Sequence, residues 1–91
     1  MKPIRWSLTK NAELKRKRGV SFEEIMRADL LEIMEHPKRA NQRVMLFEHK
    51  NYIWVVPFVD RGDQIFLKTL FPSRKFTKLW KDGKLPWSKT N

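Results

Sequence analysis

Three cations stand where a charge needs a reason. Arg43 opens one apolar run, Lys68 interrupts another, and Arg74 follows a run that ends at Pro72. A charge in or beside a strand that packs into a core costs desolvation unless something pairs with it. Such side chains at strand ends therefore suggest contact with an anion. For most of the other basic residues, a solvated surface charge is explanation enough. The stretch from Gln64 to Thr77, QIFLKTLFPSRKFT, concentrates the signal. Its apolar run predicts a central strand, and Ser73 after the proline can cap a helix whose first amides lie beside Arg74 and Lys75. That corner is expected to bind RNA or another phosphate-bearing ligand. Lys10, Lys15, Lys17, Arg18, Ser73, Lys75 and Lys78 are the further candidates for RNA contact.

Composition agrees with an anionic partner. Lys and Arg number 20 against 10 Asp and Glu, a formal charge of +10 on 91 residues, with a sequence pI near 10.3. This excess favours a polyanion or an acidic protein, the plain alternative being a basic surface that only keeps the chain soluble. The length suits one domain, residues 1–91, with 84–91 as a possible flexible tail. Cysteine is absent, which removes disulfides and thiolate ligands. His36 and His49 lie apart from any ligand cluster, so no metal or cofactor is expected. No apolar stretch reaches the roughly 20 residues that span a bilayer, and the N-terminus lacks a signal-peptide core. A cytoplasmic protein without a membrane partner is the expectation.

The elements that must position these side chains follow from local pattern. Ile4-Arg5-Trp6 reads as an edge strand, and Ser7 caps a helix running to about Arg18. Lys15 to Arg18 fill its last turn before Gly19, where cations suit the helix dipole, so helix termination competes with phosphate binding as their role. Ser21-Phe22-Glu23-Glu24 fits a capping box, with Val20 and Ile25 as a hydrophobic staple, and starts a second helix at Phe22. The box accounts for Glu24 better than catalysis does. Beyond Leu30 the period becomes two: a strand to His36-Pro37, a polar loop from Lys38 to Gln42, then strands Arg43 to Glu48 and Tyr52 to Val59. Pro57 cannot donate to a ladder and marks a bulge or the end of regular pairing. Phe76, Leu79 and Trp80 form the seam of a closing helix that Asp82-Gly83 ends. The fold class is thus α+β: a short N-terminal strand, two helices, an antiparallel four-stranded meander and a short C-terminal helix. Helices gathered on one face would leave the other face or its rim open.

These residues also carry a family resemblance. Trp6, Lys10-Asn11, Leu14 and Lys17-Arg18-Gly19-Val20-Ser21-Phe22-Glu23-Glu24 look like the N-terminal signature of the BrnT family of bacterial toxins. Gln42-Arg43 and Ser73-Arg74-Lys75-Phe76-Thr77 resemble its later landmarks, so that the likeness runs from Ile4 to about Trp80. The resemblance implies a small domain related to the RelE superfamily. It further implies ribonuclease activity that inhibits translation and a cognate antitoxin that binds DNA, so that DNA is met only through that partner.

RNA cleavage without a metal requires removal of the 2′-hydroxyl proton, stabilisation of charge on the phosphorane and protonation of the leaving 5′-oxygen. Arg43, Lys68 and Arg74 are the candidate catalytic residues, because adjacent strands and the following helix start can bring them together. No side chain stands out as the base; His49, Tyr52 and Glu48 cluster at one hairpin, and His36 belongs to a loop. The alternative from another class is a non-catalytic basic module that binds nucleic acid or an acidic protein partner.

Overall fold

In a computed structural model, residues 2–36 and 38–85 are described. In chain order these form β1 (Ile4–Arg5), α1 (Leu8–Arg18), α2 (Phe22–Met26), β2 (Asp29–Glu35), β3 (Arg43–His49), β4 (Tyr52–Asp60), β5 (Ile65–Leu67), β6 (Phe71–Pro72) and α3 (Arg74–Lys81). The architecture is the expected α+β one. Strands run in the order β1-β5-β4-β3-β2, with β6 also paired to β4. Strands β2 to β5 are the antiparallel meander, and β1 lies parallel to β5 at the edge.

Local chemistry sets the helix ends. The Ser7 hydroxyl accepts from the Lys10 amide at 3.1 Å, and Gly19 closes α1 at φ 76°, its amide donating to the Lys15 carbonyl. A left-handed residue at that position favours glycine. The capping box is complete: the Ser21 hydroxyl accepts from the Glu24 amide at 3.2 Å, and the Glu24 carboxylate accepts from the Ser21 amide at 3.0 Å.

Two expectations need correction. The central strand is β4, not the Gln64–Thr77 stretch, which breaks into the short β5 and β6. Helices also cover both faces of the sheet rather than one. Leu14, Val20, Phe22 and Ile25 pack with Met45, Phe47, Val56 and Phe58 on one face. On the other, Val44, Leu46, Ile53 and Val55 pack against Phe76, Leu79 and Trp80 of α3. Burial on both faces is why Tyr52 to Val59 reads as a continuous apolar run instead of alternating. Leu85 joins the second core, so the stretch expected as a tail begins with a packed side chain; Trp87 lies outside the described residues.

Pro57 explains the break in the last limb. It sits inside β4 opposite Val44, and its carbonyl accepts from the Lys68 amide at 2.8 Å. Within a strand, a residue's N–H and C=O point to the same side. Pro57 therefore offers an acceptor but no donor to this neighbour, and the ladder cannot close there. Between the pairs Phe58↔Leu67 and Val55↔Phe71, three steps of β4 face four of its partner. The slack is a bulge over Lys68, Thr69 and Leu70. A second irregularity lies between Leu30 and Glu32 in β2. It breaks the simple alternation expected there, turning Leu31 and Met34 toward the α3 side and leaving Leu30 and Ile33 exposed.

Candidate nucleic-acid interface

The α3 face carries a groove at the end of the sheet where β2 stops and β3 begins. One hollow of about 440 Å³ has an apolar floor of Met34, Val44, Val55, Phe71 and Phe76, bordered by Glu35, His36, Lys38, Ser73 and Lys75. A second, of about 280 Å³, continues it past His36 and Phe71 to Arg39, Gln42, Pro57, Lys68 and Thr69. The bulge opposite Pro57 supplies Lys68 and Thr69. The α3 start supplies Ser73 and Lys75, and two anchors fix it. Ser73 caps the helix by accepting from the Phe76 amide at 3.1 Å. Buried Thr77 donates to the Ser73 carbonyl at 2.6 Å and accepts from the Ile53 amide of β4 at 2.8 Å.

The groove's lysines are held without being neutralised. Lys68 Nζ lies 5.8 Å from the Phe66 ring centroid, and Lys75 Nζ 5.8 Å from that of Phe76. Ring contacts orient an ammonium yet leave its charge available to an anion. Neither lysine has a carboxylate partner among the described residues.

Arg43 does not join them. Its guanidinium stacks over Phe58 at 5.3 Å, on the α1 face, and lies 3.8 Å from Asp60 Oδ2. The Asp60 carboxyl is held below its usual range, chiefly by the hydrogen bond from Lys2, then by the Gly62 amide, with Arg43 a smaller contributor. Arg43, Lys68 and Arg74 therefore do not converge on one pocket. Arg74 is exposed at the first turn of α3, beside the groove's Ser73 and Lys75. Lys78 is exposed one turn further along the same helix.

The remaining candidates belong to α1, which packs on the opposite face. Lys15 Nζ lies 2.7 Å from Glu24 Oε1, and its hydrogen bond, followed by that of the Ser21 amide, lowers the Glu24 carboxyl to about 2. Lys17 and Lys10 flank Glu13 at 3.4 and 3.7 Å; Lys17 first, then Lys10, lowers that carboxyl. Arg18 is exposed in the last turn. Asn11 ties α1 to α2, its side chain accepting from the Phe22 amide at 2.7 Å and donating to Glu23 at 2.6 Å. The signature residues near the N-terminus thus build a helix clamp.

Sequence reasoning missed His36, Lys38 and Arg39 as groove residues. The signal was the pair Lys38-Arg39 in the short link between β2 and β3, at the same sheet end as Lys68. Among the described residues, no group of three or more His, Asp or Glu is placed to hold a metal ion, and no helix is long and apolar enough to cross a membrane.

Among solved structures, the chain is similar to the crystal structure of the Brucella abortus ribonuclease toxin BrnT. The match has a TM-score of 0.55 and 19% identity and covers 80% of this chain and 97% of the toxin. The fold is BrnT-like. No family model matches the chain, and no curated protein matches it by sequence. In the BrnT-like fold of this chain, the sheet end between β2, β3 and α3 combines an apolar floor with cations. The aromatic rings of Phe71 and Phe76 suit an unstacked base, and the lysines suit its phosphates.

Proposed function

We propose that this protein is a metal-independent endoribonuclease toxin that cuts RNA in the α3-face groove. The observation that carries the reading is the pair of adjoining hollows that share His36 and Phe71, one floored by Phe76 and rimmed by Glu35, Lys38 and Lys75, the other rimmed by Arg39 and Lys68. Its support in the comparisons is the BrnT-like fold, shared with a protein described as a ribonuclease toxin. In cleavage, the 2′-oxygen attacks the adjacent phosphorus, its proton passes to a base, the bond to the 5′-oxygen breaks, and that oxygen takes up a proton. Negative charge grows on the non-bridging oxygens, where Lys68 and Lys75 stabilise it more than in the ground state. Arg74 adds charge at the α3 start. On the same reading the chain acts in the cytoplasm, inhibits translation by cutting mRNA, and is neutralised by a cognate antitoxin that contacts DNA itself.

Purified protein should cut single-stranded RNA in the presence of a chelator. Lys68→Ala and Lys75→Ala should each lose about a hundredfold in rate, the scale of one electrostatic contact to a transition state, with an unchanged melting temperature. Arg43→Ala should keep its cutting rate, because its side chain lies on the other face. RNA bound tightly but left intact by the wild type would reduce the protein to a binding module. Full activity in both lysine variants would remove the groove from the mechanism.

A further inference from the structure

We infer that His36 is a fixed hydrogen-bond donor for a phosphodiester oxygen of single-stranded nucleic acid lying in the groove, an inference that rests on the RNA reading above. His36 follows β2 and opens the link to β3, which its own amide helps close by donating to the Gln42 carbonyl at 3.0 Å. Its Nδ1 accepts from the amides of both Lys38, at 3.0 Å, and Arg39, at 3.2 Å. A backbone N–H can only donate, so Nδ1 must present its lone pair. The ring proton of this tautomer is then on Nε2.

The ring borders both hollows, and Nε2 has no hydrogen-bond partner among the described residues. An N–H on a ring that borders these hollows, where Lys38, Arg39, Lys68 and Lys75 outnumber the Glu35 carboxylate, meets a field that favours an anionic acceptor. With its proton on Nε2, this imidazole offers no lone pair to the groove, so it serves as donor and not as base. It differs from the lysines in being directional. Two amides pin the ring, whereas an ammonium on four methylenes follows its partner. His36 can thus fix where a phosphate oxygen sits, while the cations supply attraction.

Two substitutions separate the two sides of the ring. In His36→Asn, the amide oxygen hangs on the same carbon as Nδ1 did and can go on accepting from the loop, but the distal donor is gone. In His36→Gln, the amide nitrogen reaches one bond further and restores a donor near the position of Nε2. The probe is a short single-stranded RNA with 2′-O-methyl riboses, which binds without being cut, set against inorganic phosphate alone. His36→Asn should weaken binding of the oligonucleotide about tenfold, the worth of one hydrogen bond to a charged acceptor. His36→Gln should stay within about threefold of wild type, and both variants should melt with it. In nitrogen-15 spectra the His36 proton should sit on Nε2, and that resonance should move on adding either probe, at far lower concentration with the oligonucleotide.

Equal affinity in wild type and His36→Asn, or a ring proton found on Nδ1, would overturn the assignment. Comparable response to phosphate and oligonucleotide would overturn the nucleic-acid part of it. Cutting by the wild type is scored separately: a protein that binds the oligonucleotide through Nε2 but never cuts natural RNA refutes the ribonuclease reading and leaves the donor in place.

Discussion

Thr77 carries more of the site than its size suggests. One hydroxyl serves two backbone groups, the part-buried Ser73 carbonyl and the buried Ile53 amide, and so fastens the start of α3 to the central strand. Valine has the same shape and neither hydrogen-bonding capacity. Thr77→Val should destabilise the fold by about 1–3 kcal/mol, the cost of leaving a buried donor unsatisfied, measured by urea unfolding; a loss below about 0.5 kcal/mol would contradict the anchor. Arg43 teaches the opposite lesson about single residues. A charge at the head of an apolar strand does need a reason, and here the reason is local: the Phe58 ring beneath it and the Asp60 carboxylate nearby. Nothing in the spelling of β3 distinguishes that from a phosphate contact. Parity decides it, because odd positions of β3 face α1 with Met45 and Phe47 while Lys68 comes off a bulge that opens toward α3.

At the scale of elements, Pro57 shapes the groove by withholding a donor. Pro57→Val would supply the missing N–H and remove the reason for the extra residue opposite. The last limb should then pair more regularly and draw Lys68 and Thr69 out of the groove. The expected outcome is RNA cleavage down at least about tenfold with amide protection gained at residues 68–70 in hydrogen exchange. Retained activity with no new protection would disconnect the bulge from the site. The α1–α2 clamp makes a prediction about acid. The folded Glu24 carboxyl titrates near 2 because of Lys15 and the Ser21 amide, against about 4.3 in an unfolded chain. A lowered carboxyl adds stability above the unfolded value and loses it as pH falls from there toward 2. Glu24→Gln should therefore flatten the loss of stability between about pH 4.5 and 2, while an unchanged slope would mean that the ion pair does not persist in solution. Much of this was legible in advance. Ser7, Gly19, Ser21 with Glu24, and Ser73 each announced a helix end, because caps are written in neighbouring residues. Layering was not, because the same apolar run in β4 fits burial on one face or two, and the bulges that re-aim Lys68 and Leu31 depend on partners distant in sequence.

For the molecule as a whole, the decisive quantity is how the 20 cations are spent. Those on α1 are largely engaged: Lys15 by Glu24, and Lys10 and Lys17 by Glu13. Lys2 is engaged by Asp60. At the groove, Lys68 and Lys75 rest on aromatic rings, and Lys38 and Arg39 border the hollows with no ion pair to a carboxylate among the described residues, although Glu35 lines the same rim. Four cations thus gather at one end of the α3 face, although the sequence spreads its basic residues along the whole chain. Salt dependence tests this directly. Each phosphate neutralised on a single strand contributes about −0.7 to the slope of log K against log salt, so four groove cations predict a slope of about −3. Replacing Lys10, Lys17 and Arg18 together by glutamine should change that slope by less than about one unit, since these side chains lie on the other face. Replacing Lys68 and Lys75 should reduce its magnitude by about 1.4. A slope that falls equally for either set would show that RNA senses only net charge, and the groove would lose its claim to be where the strand lies.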